Sequence, residues 1–261
     1  PRSDEVLEAL KAQAVAARTY TYRRMELRED SSYDLLPTVA DQVYGGVNVE
    51  YRQSDMAVRA TRGLVMTYEG ELIDAYYHST CGGRTANIED VWDKPARPYL
   101  RSVSDMNREG TPYCAASRYA TWHQSWSRSR LSAILSRYGP GAAGSGTFRG
   151  KFTSINVLMR HRCGRIRTLK VGSSRGNAVF GGDKIRFAFR RDTPGNPILR
   201  SANFEVVSVT SRKLTLRGHG YGHGVGMCQM GALGRAKEGQ AFDRILKAYY
   251  TGVEIRRANG E

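Results

Sequence analysis

Apolar residues near the start of the chain recur at helical spacing and predict a long helix over residues 4–29. The residues on its apolar face are Leu7, Leu10, Ala14 and Ala17. Within it, the alanine-dense run AQAVAA lets another backbone pack closely. Similar patterns predict a helix in SWSRSRLSAILSRYG, which a Gly-Pro pair ends, and two more in QMGALGRAKEG and FDRILKAYY.

Short runs of alternating apolar and polar residues lie between these helices and are typical of β-strands. Residues 47–78 contain apolar runs on both sides of the hairpin-like YEGE. Residues 151–217 contain FTSINVLMR, RIRTLKVG, NFEVVSVTS and KLTLRG. The sequence therefore predicts the α+β class, with N- and C-terminal helices around mostly antiparallel β-structure and an active cleft between subdomains.

The 261 residues suffice for one large domain or two modest ones. The run GPGAAGSG at residues 139–146 is the best candidate for a linker. We expect a single catalytic domain over residues 1–261, divided into two subdomains. Residues 1–140 together with 218–261 would form the cleft, and about 150–217 would form a basic, β-rich section.

The formal net charge of +15 comes from one section of the chain. Residues 115–217 hold 20 Lys and Arg against three Asp and Glu, whereas the other residues are nearly balanced. A concentrated positive field attracts a polyanion: nucleic acid, anionic lipid or an acidic polysaccharide. A solvated arginine-rich face explains the same composition. Nucleic acid is the least favoured partner, because the aromatics do not interleave with the basic runs as a stacking platform would.

The stretch GHGYGHGVGMCQMGA at residues 218–232 alternates glycine with larger residues and contains two histidines. Glycine allows unusual backbone dihedrals and close approach of a second chain. No Lys-Ser/Thr follows the glycines, so the stretch is not a phosphate loop, and no acidic residue completes a dinucleotide-binding unit. It predicts a close-approach loop whose imidazoles exchange hydrogen bonds near neutral pH.

Four widely separated cysteines occur without a Cys-x-x-Cys pair: Cys81, Cys114, Cys163 and Cys228. His78 and Cys81 sit at a strand end and can begin a zinc site, which Cys114 and either His223 or Cys228 would complete. A Cys81–Cys114 disulfide and a merely structural, hydrogen-bonded His78 are the alternatives. The spacing alone leaves all of them open.

Three long segments, in this order, resemble the SpoIID/LytB family of sporulation and cell-wall proteins. They are LEALKAQAVAARTY at residues 7–20, HSTCGGRTANIEDVW with PYLRSV at 78–103, and GHGVGMCQMGA with ILKAYYTG behind it. The resemblance covers nearly the whole chain. SpoIID-type members are lytic transglycosylases that cut the MurNAc–GlcNAc bond of peptide-stripped (denuded) peptidoglycan strands and leave 1,6-anhydro-MurNAc ends. LytB-type members are described as enhancers of N-acetylmuramoyl-L-alanine amidase.

The resemblance implies a catalytic role for Glu8, which precedes the family's Ala-Leu-Lys-Ala-Gln motif. Without it, Glu8 is a first-turn glutamate that the helix dipole favours. The implied cleft consists of the first helix, the 76–85 loop and the 218–232 stretch. Its expected substrate-binding residues are Tyr77, His78, Ser79, Thr80, Gly82, Tyr221, His223, Gly224 and Gln229. The chemistry requires no cofactor, but some similar members are associated with zinc, for which His78, Cys81 and Cys114 are the residues to carry over.

The implied partners are a cell-wall amidase and denuded glycan strands, whose exposed lactyl carboxylates suit the basic 115–217 section. That section could equally bind an anionic wall polymer or a membrane surface. No apolar run approaches the roughly 18–20 residues that span a bilayer, and the chain starts without a signal-like segment. Because the family acts on the wall, we expect an exported protein of the wall, periplasm or envelope, whose targeting segment is missing from this chain.

Overall fold

The predicted α+β class is confirmed. The structure, a computed structural model, describes residues 3–28, 32–38, 41–43, 45–46, 48, 50–195 and 197–258. The helices of these ranges are α1 (Ser3–Glu26), α2 (Arg52–Ala60), α3 (Arg128–Tyr138), α4 (Lys184–Ala188), α5 (Gln229–Lys237) and α6 (Phe242–Tyr249). The strands are β1 (Leu64–Tyr68), β2 (Glu71–Leu72), β3 (Tyr77–His78), β4 (Trp122–Ser127), β5 (Ala143–Gly146), β6 (Phe152–Arg160), β7 (Ile166–Ser173), β8 (Gly176–Gly181), β9 (Phe204–Val209), β10 (Lys213–Gly218), β11 (Met227–Cys228) and β12 (Glu254–Arg257).

The first hydrophobic core joins the two ends of the chain around α1. This helix packs against α2, α5, α6 and β1, and the sheet β12-β1-β2 belongs to the same core. The buried face of α1 consists of Ala9, Ala12, Val15, Ala16, Thr19 and Tyr20. Three of these residues are alanines, which leave room for the neighbouring helices to approach the α1 backbone.

The segment 47–78 differs in part from its prediction. The sequence predicts strands throughout, but the structure has a helix, α2, before β1. Ala57 is buried where α2 packs against α1, while Met56 and Val58 stay about half exposed. One small buried side chain against α1 therefore stabilises a helix here, and the neighbouring apolar residues do not alternate between two faces of a sheet.

The hairpin predicted at YEGE is confirmed. β1 and β2 pair antiparallel, with Thr67 opposite Leu72 and Tyr68 opposite Glu71. The two turn residues, Glu69 and Gly70, have φ values of 52° and 88°. Two consecutive positive φ values are those of the type I′ turn, whose twist suits a two-residue hairpin.

A second hydrophobic core lies within residues 122–216. The antiparallel sheets β4-β10-β9 and β5-β8-β7-β6 form it together with α3 and α4. The second core begins earlier in the chain than the boundary expected at residues 140–150, because it includes α3. The expected linker at 139–146 contains β5, which pairs with β8, because buried Ala142 and Phe148 draw this glycine-rich run into the core. Within the described ranges, no helix is long and apolar enough to cross a membrane.

The glycine-histidine stretch lies at the seam between the two cores. From the second core, Trp122 Nε1 donates a hydrogen bond to the carbonyl of Gly220 at 2.8 Å. From the first, the backbone N–H of Ala86 donates to the carbonyl of Gly224, also at 2.8 Å. Gly224 has φ of 92°, and a Cβ there would lie 2.2 Å from the guanidinium carbon of Arg165. The alternating glycines thus let the protein's own segments approach each other.

Candidate functional site

Glu8 lies near the start of α1, where this helix meets the N-terminal end of α6. Its Oε2 accepts a hydrogen bond at 2.8 Å from the backbone N–H of Phe242, the first residue of α6. Its Oε1 lies 2.6 Å from Nζ of Lys11, almost one turn further along α1. The carboxylate thus pairs with an N–H group that the helical pattern leaves without a partner. The side chain is 26% exposed, so a ligand can reach it.

A cavity of about 550 Å³ opens at the same end of α6. Its lining residues are Arg108, Tyr113, Glu238, Gly239, Gln240 and Arg244. Gln240 and Arg244 flank Phe242 in the chain, so the cavity adjoins the helix end that contacts Glu8. Its two arginines outweigh one glutamate, which makes the cavity suited to an anionic group. None of these residues is predicted from the sequence.

A cluster of amide and phenol groups lies further along α1. Gln229, at the start of α5, donates through Nε2 to Oε1 of Gln13 at 3.2 Å. The Tyr77 hydroxyl donates to Oε1 of Gln42 at 2.5 Å. Burial raises the pKa of Tyr77 to about 12, so this group stays protonated and can donate at any physiological pH. Glu8 and Gln13 are separated by about 7.5 Å along the helix axis.

His78 and His223 form a T-shaped pair with ring centroids 5.4 Å apart, and Trp92 packs on His223 at 4.8 Å. His223 uses both nitrogens: Nε2 lies 3.0 Å from the carbonyl of Tyr77, and Nδ1 accepts the N–H of Val225 at 3.1 Å. This arrangement assigns the proton to Nε2 of a neutral ring. Burial lowers the pKa of His223 to about 4 and that of His78 well below its usual value. The pair therefore consists of neutral imidazoles at neutral pH.

The other expected cleft residues are largely packed within the protein. Thr80 is fully buried, and its hydroxyl lies 2.8 Å from that of Ser117 and 3.3 Å from that of Ser79. The backbone of Tyr221 pairs with that of Thr80. Gly82 packs against His219, and Gly224 lies beneath Arg165. The structure thus separates the expected set into partly exposed groups near α1 and groups that build the seam.

Three cysteines and one aspartate converge in the first core. The ligand atoms of Cys81, Asp105, Cys114 and Cys228 all lie within 4.8 Å of one another, and all four residues are buried. The cysteines are free, and the Sγ atoms of Cys81 and Cys114 are 3.6 Å apart. Hydrogen bonds from Cys228 and Cys81 lower the pKa of the Cys114 thiol to about 2, whereas burial raises that of Cys228.

His78, which the sequence analysis grouped with Cys81 and Cys114 as a metal ligand, lies outside this cluster. Its Nδ1 lies 3.2 Å from the carbonyl of Val225, on the side of the His223 ring. β3 pairs in parallel with β11, with His78 opposite Cys228, and Cys81 follows three residues later. The cluster contains Cys228, one of the two residues that the sequence offers to complete the site, and Asp105, which the sequence does not indicate.

Comparison with known proteins identifies the family. The profile of the stage II sporulation protein family (SpoIID) matches residues 2–68, and one described as a domain of unknown function (DUF8618) matches residues 114–226. Stage II sporulation protein D of Bacillus amyloliquefaciens is 32% identical over 268 residues, which cover 97% of this chain and 69% of that protein. The chain belongs to the stage II sporulation protein D family, and the resemblance stated from its motifs is confirmed.

Two further relatives differ in length and in name. An uncharacterized protein of Brachyspira hyodysenteriae is 33% identical over 253 residues, covering 97% of this chain and 62% of that protein. The amidase enhancer of Bacillus subtilis is 29% identical over 290 residues, covering 95% of this chain and 38% of that protein. This chain therefore spans about two fifths to two thirds of the length of these relatives.

Sequence reasoning missed several residues of the site. Gln13 lies in the quoted LEALKAQ segment, and its position on α1 was the available signal. Gln42 and Asp105 have no local signal, because each lies in an irregular segment and reaches its partners only through the tertiary fold. The cavity residues around Arg244 likewise come together only when the 108–113 segment packs against the end of α5 and the start of α6.

Proposed function

We propose that this chain is a lytic transglycosylase that cuts denuded peptidoglycan strands between N-acetylmuramic acid and N-acetylglucosamine. The observation that carries the proposal is the position of Glu8: it is partly exposed and lies at the contact of α1 with the first residue of α6, Phe242. Two residues that line the cavity, Gln240 and Arg244, flank Phe242 in the chain. Family membership supports the same activity. Two relatives of Bacillus species carry the name stage II sporulation protein D, which supports a role of this chain in sporulation.

In the first step, the protonated Glu8 carboxyl donates its proton to the glycosidic oxygen as the C1–O bond of the muramic residue breaks. The N-acetylglucosamine part leaves as an alcohol, and positive charge develops at C1 and the ring oxygen. In the structure, Lys11 and the N–H of Phe242 occupy the two carboxylate oxygens. We therefore expect substrate binding to displace Lys11, which lies on a flexible side chain, and to leave the backbone contact in place.

In the second step, the resulting carboxylate takes the proton from the C6 hydroxyl of the same muramic residue. The C6 oxygen bonds to C1, and the product is a 1,6-anhydro end. No water is consumed, and Glu8 regains its proton. One carboxyl group suffices because the internal hydroxyl replaces the water that a second carboxylate activates in hydrolytic glycosidases.

Charge complementarity supports the glycan as substrate. Removal of the stem peptides exposes a lactyl carboxylate on every muramic residue, so the strand is a polyanion. Arg108 and Arg244 in the cavity can pair with such a carboxylate, since guanidinium groups match its geometry. The amides of Gln13 and Gln229 can hydrogen-bond the sugar hydroxyls and acetamido groups next along α1. The basic 115–217 section would hold the remainder of the strand or another anionic wall polymer.

The test compares wild type with Glu8→Gln on amidase-stripped strands, with products identified by mass spectrometry. Glutamine keeps an acceptor for the Phe242 N–H but cannot transfer the proton. Glu26→Gln is the matched control, because Glu26 also lies on α1 and pairs with a basic residue three positions away, Arg23, at 2.9 Å. We expect anhydro ends from wild type and Glu26→Gln, and a loss of at least about 100-fold for Glu8→Gln.

A second candidate function is the stimulation of a cell-wall amidase without cleavage. The observation that favours it is that both Glu8 oxygens already have partners in the protein, as expected of a structural residue at a helix end. The relative named amidase enhancer supports it as well. Binding of denuded strands without cleavage, together with faster release of stem peptides by an added amidase, would favour this function. Glu8→Gln would then keep the full stimulation.

A further inference from the structure

Three arginines and two tyrosines converge where the second core meets the glycine-histidine stretch. The guanidinium carbon of Arg200 lies 5.7 Å from the ring centre of Tyr119, and that of Arg118 lies 4.7 Å from the same centre. The rings of Tyr119 and Tyr221 form a T-shaped pair with centroids 4.7 Å apart. Arg191 is the third arginine, since its charge acts on Arg200. The two proposed steps of cleavage use none of these residues.

Arg200 carries a partly buried positive charge. Within the described part of the chain, its Nε and Nη1 atoms are buried and have no hydrogen-bond partner. Burial, together with the positive charges of Arg191 and Arg118, lowers the pKa of this guanidinium. By contrast, the buried Arg186 of the same section pairs with Asp183 at 3.0 Å. A guanidinium without acceptors is costly to bury, and an anion that accepts from Arg200 would offset that cost.

Backbone hydrogen bonds hold the two tyrosines beside Arg200. The N–H of Gly222 donates to the carbonyl of Arg200, and the N–H of Gly220 donates to the carbonyl of Tyr119, each at 2.9 Å. Tyr221 lies between these two glycines in the chain, and both tyrosines are partly exposed. Binding sites for small molecules and sugars commonly combine aromatic walls with a few charged groups that fix the orientation of the ligand. The arrangement is therefore suited to a ligand with a ring and a negative charge.

The backbone at Tyr221 connects this group of residues with the part of the first core that contains Glu8. Tyr221 pairs with Thr80 through two backbone hydrogen bonds of 2.8 and 3.0 Å. The carbonyl of the neighbouring Ser79 accepts the N–H of Met230, in the first turn of α5, at 3.0 Å. Helix α5 in turn packs against α1, which carries Glu8. A glycan strand that reaches both places would follow these segments.

We infer that Arg118, Arg200, Tyr119 and Tyr221 bind a muramic residue of the denuded strand other than the one that is cut. The two guanidinium groups pair with its lactyl carboxylate, and the phenol rings contact its sugar ring. The identity of this ligand rests on the proposed function. A carboxylated sugar supplies both the negative charge that the arginines need and a ring for the tyrosines. The inference gives the basic 115–217 section a defined anion site.

The test measures binding separately from cleavage, by titration calorimetry with Glu8→Gln as the parent protein. The ligands are denuded strands and the same strands with their lactyl carboxylates converted to neutral amides. Adding Arg200→Met should weaken the binding of denuded strands by about 10-fold or more and leave that of the amide strands nearly unchanged. Arg137→Met is the matched control, because Arg137 also lies over a tyrosine ring, that of Tyr138 at 5.2 Å, but outside the site. It should bind both ligands like the parent.

Unchanged binding of denuded strands by Arg200→Met would overturn the inference, and so would an equal loss for both ligands, which indicates a structural role. Should this variant not fold, Arg118→Met decides by the same comparison, because Arg118 is exposed. Binding of poly(glycerol phosphate) that depends on Arg200, without such dependence for denuded strands, would overturn it in favour of a phosphate site. Wild type that cuts no strand, with Arg200-dependent binding of the carboxylate intact, would contradict the proposed cleavage and leave the binding site in place.

Discussion

Acid should destabilise this protein through His223, and replacement of that residue with asparagine should remove the effect. The neutral ring donates from Nε2 to Tyr77 and accepts at Nδ1 from Val225. A second proton would have to sit on Nδ1, facing the Val225 N–H. Asparagine cannot titrate, and its side-chain oxygen can still accept from an N–H two residues ahead.

The size of the effect follows from the two pKa values. Burial lowers the pKa of His223 from 6.5 to about 4 in the folded protein. Between these values the unfolded chain binds a proton that the folded chain does not, so stability is complete above about pH 6.5 and falls as the pH drops toward 4. From pH 7.5 to 5.0 the loss is up to about 2 kcal/mol, since part of the ring stays accessible to solvent. His78, whose pKa is also lowered by burial, acts in the same direction in both proteins.

Urea unfolding at pH 7.5 and 5.0 measures this loss for wild type and for His223→Asn. The variant will be less stable at both pH values, because it lacks the hydrogen bond to Tyr77, but that offset cancels in the comparison. We expect wild type to lose about 1–2 kcal/mol more than the variant between the two pH values. Equal losses would refute the assignment of His223 as a neutral, partly buried base.

Two further predictions concern the seam. Gly226→Ala should lower the free energy of unfolding by about 2–5 kcal/mol, because φ is 69° and the new Cβ would lie 2.0 Å from the Tyr76 carbonyl oxygen. Thermal unfolding measures this, with Gly141→Ala as the control, since nothing lies within 4 Å of a Cβ at that position. Equal stability of the two variants would contradict the prediction. Arg165→Met should lower the free energy of unfolding by about 1.5–3 kcal/mol, because the guanidinium donates hydrogen bonds to backbone carbonyls of the 81–84 loop. Arg167→Met is the control, because Arg167 is exposed. A similar effect of both changes would show that the contact at the seam contributes nothing.

The elements that sequence predicted well are those with a strong local pattern. The β1–β2 hairpin follows from its turn residues, and α1, α5 and α6 follow from helical spacing. The face predicted for α1 was wrong: Leu7, Leu10, Ala14 and Ala17 are only partly buried, and the buried face is the one with Ala12, Val15 and Ala16. α2 and β5 were predicted wrongly, because their states depend on tertiary burial. Ala57 packs where α2 meets α1, and the glycine-rich run at 139–146 becomes a strand by pairing with β8.

Residues of the candidate site could be predicted from the sequence only where a family motif contains them. Glu8 came from the family resemblance, because its local sequence describes an ordinary first-turn glutamate. The cluster of Cys81, Asp105, Cys114 and Cys228 depends on contacts between residues far apart in the chain. Cys81 and Cys228 are 147 positions apart, yet the backbone nitrogen of Cys81 lies 3.2 Å from Sγ of Cys228. No local pattern encodes such a distance, so the sequence offers Cys228 only as an alternative to His223 and does not indicate Asp105.

The most direct test of the proposed chemistry is the cleavage of denuded strands in water labelled with heavy oxygen, followed by mass spectrometry of the new ends. The Glu8 mechanism predicts muramic ends that are one water lighter than reducing ends and carry no label, because the C6 hydroxyl closes on C1. It also predicts that Glu8→Gln gives none of them. Labelled reducing ends would show hydrolysis by an activated water, and unlabelled anhydro ends from Glu8→Gln at the wild-type rate would show that another residue transfers the proton.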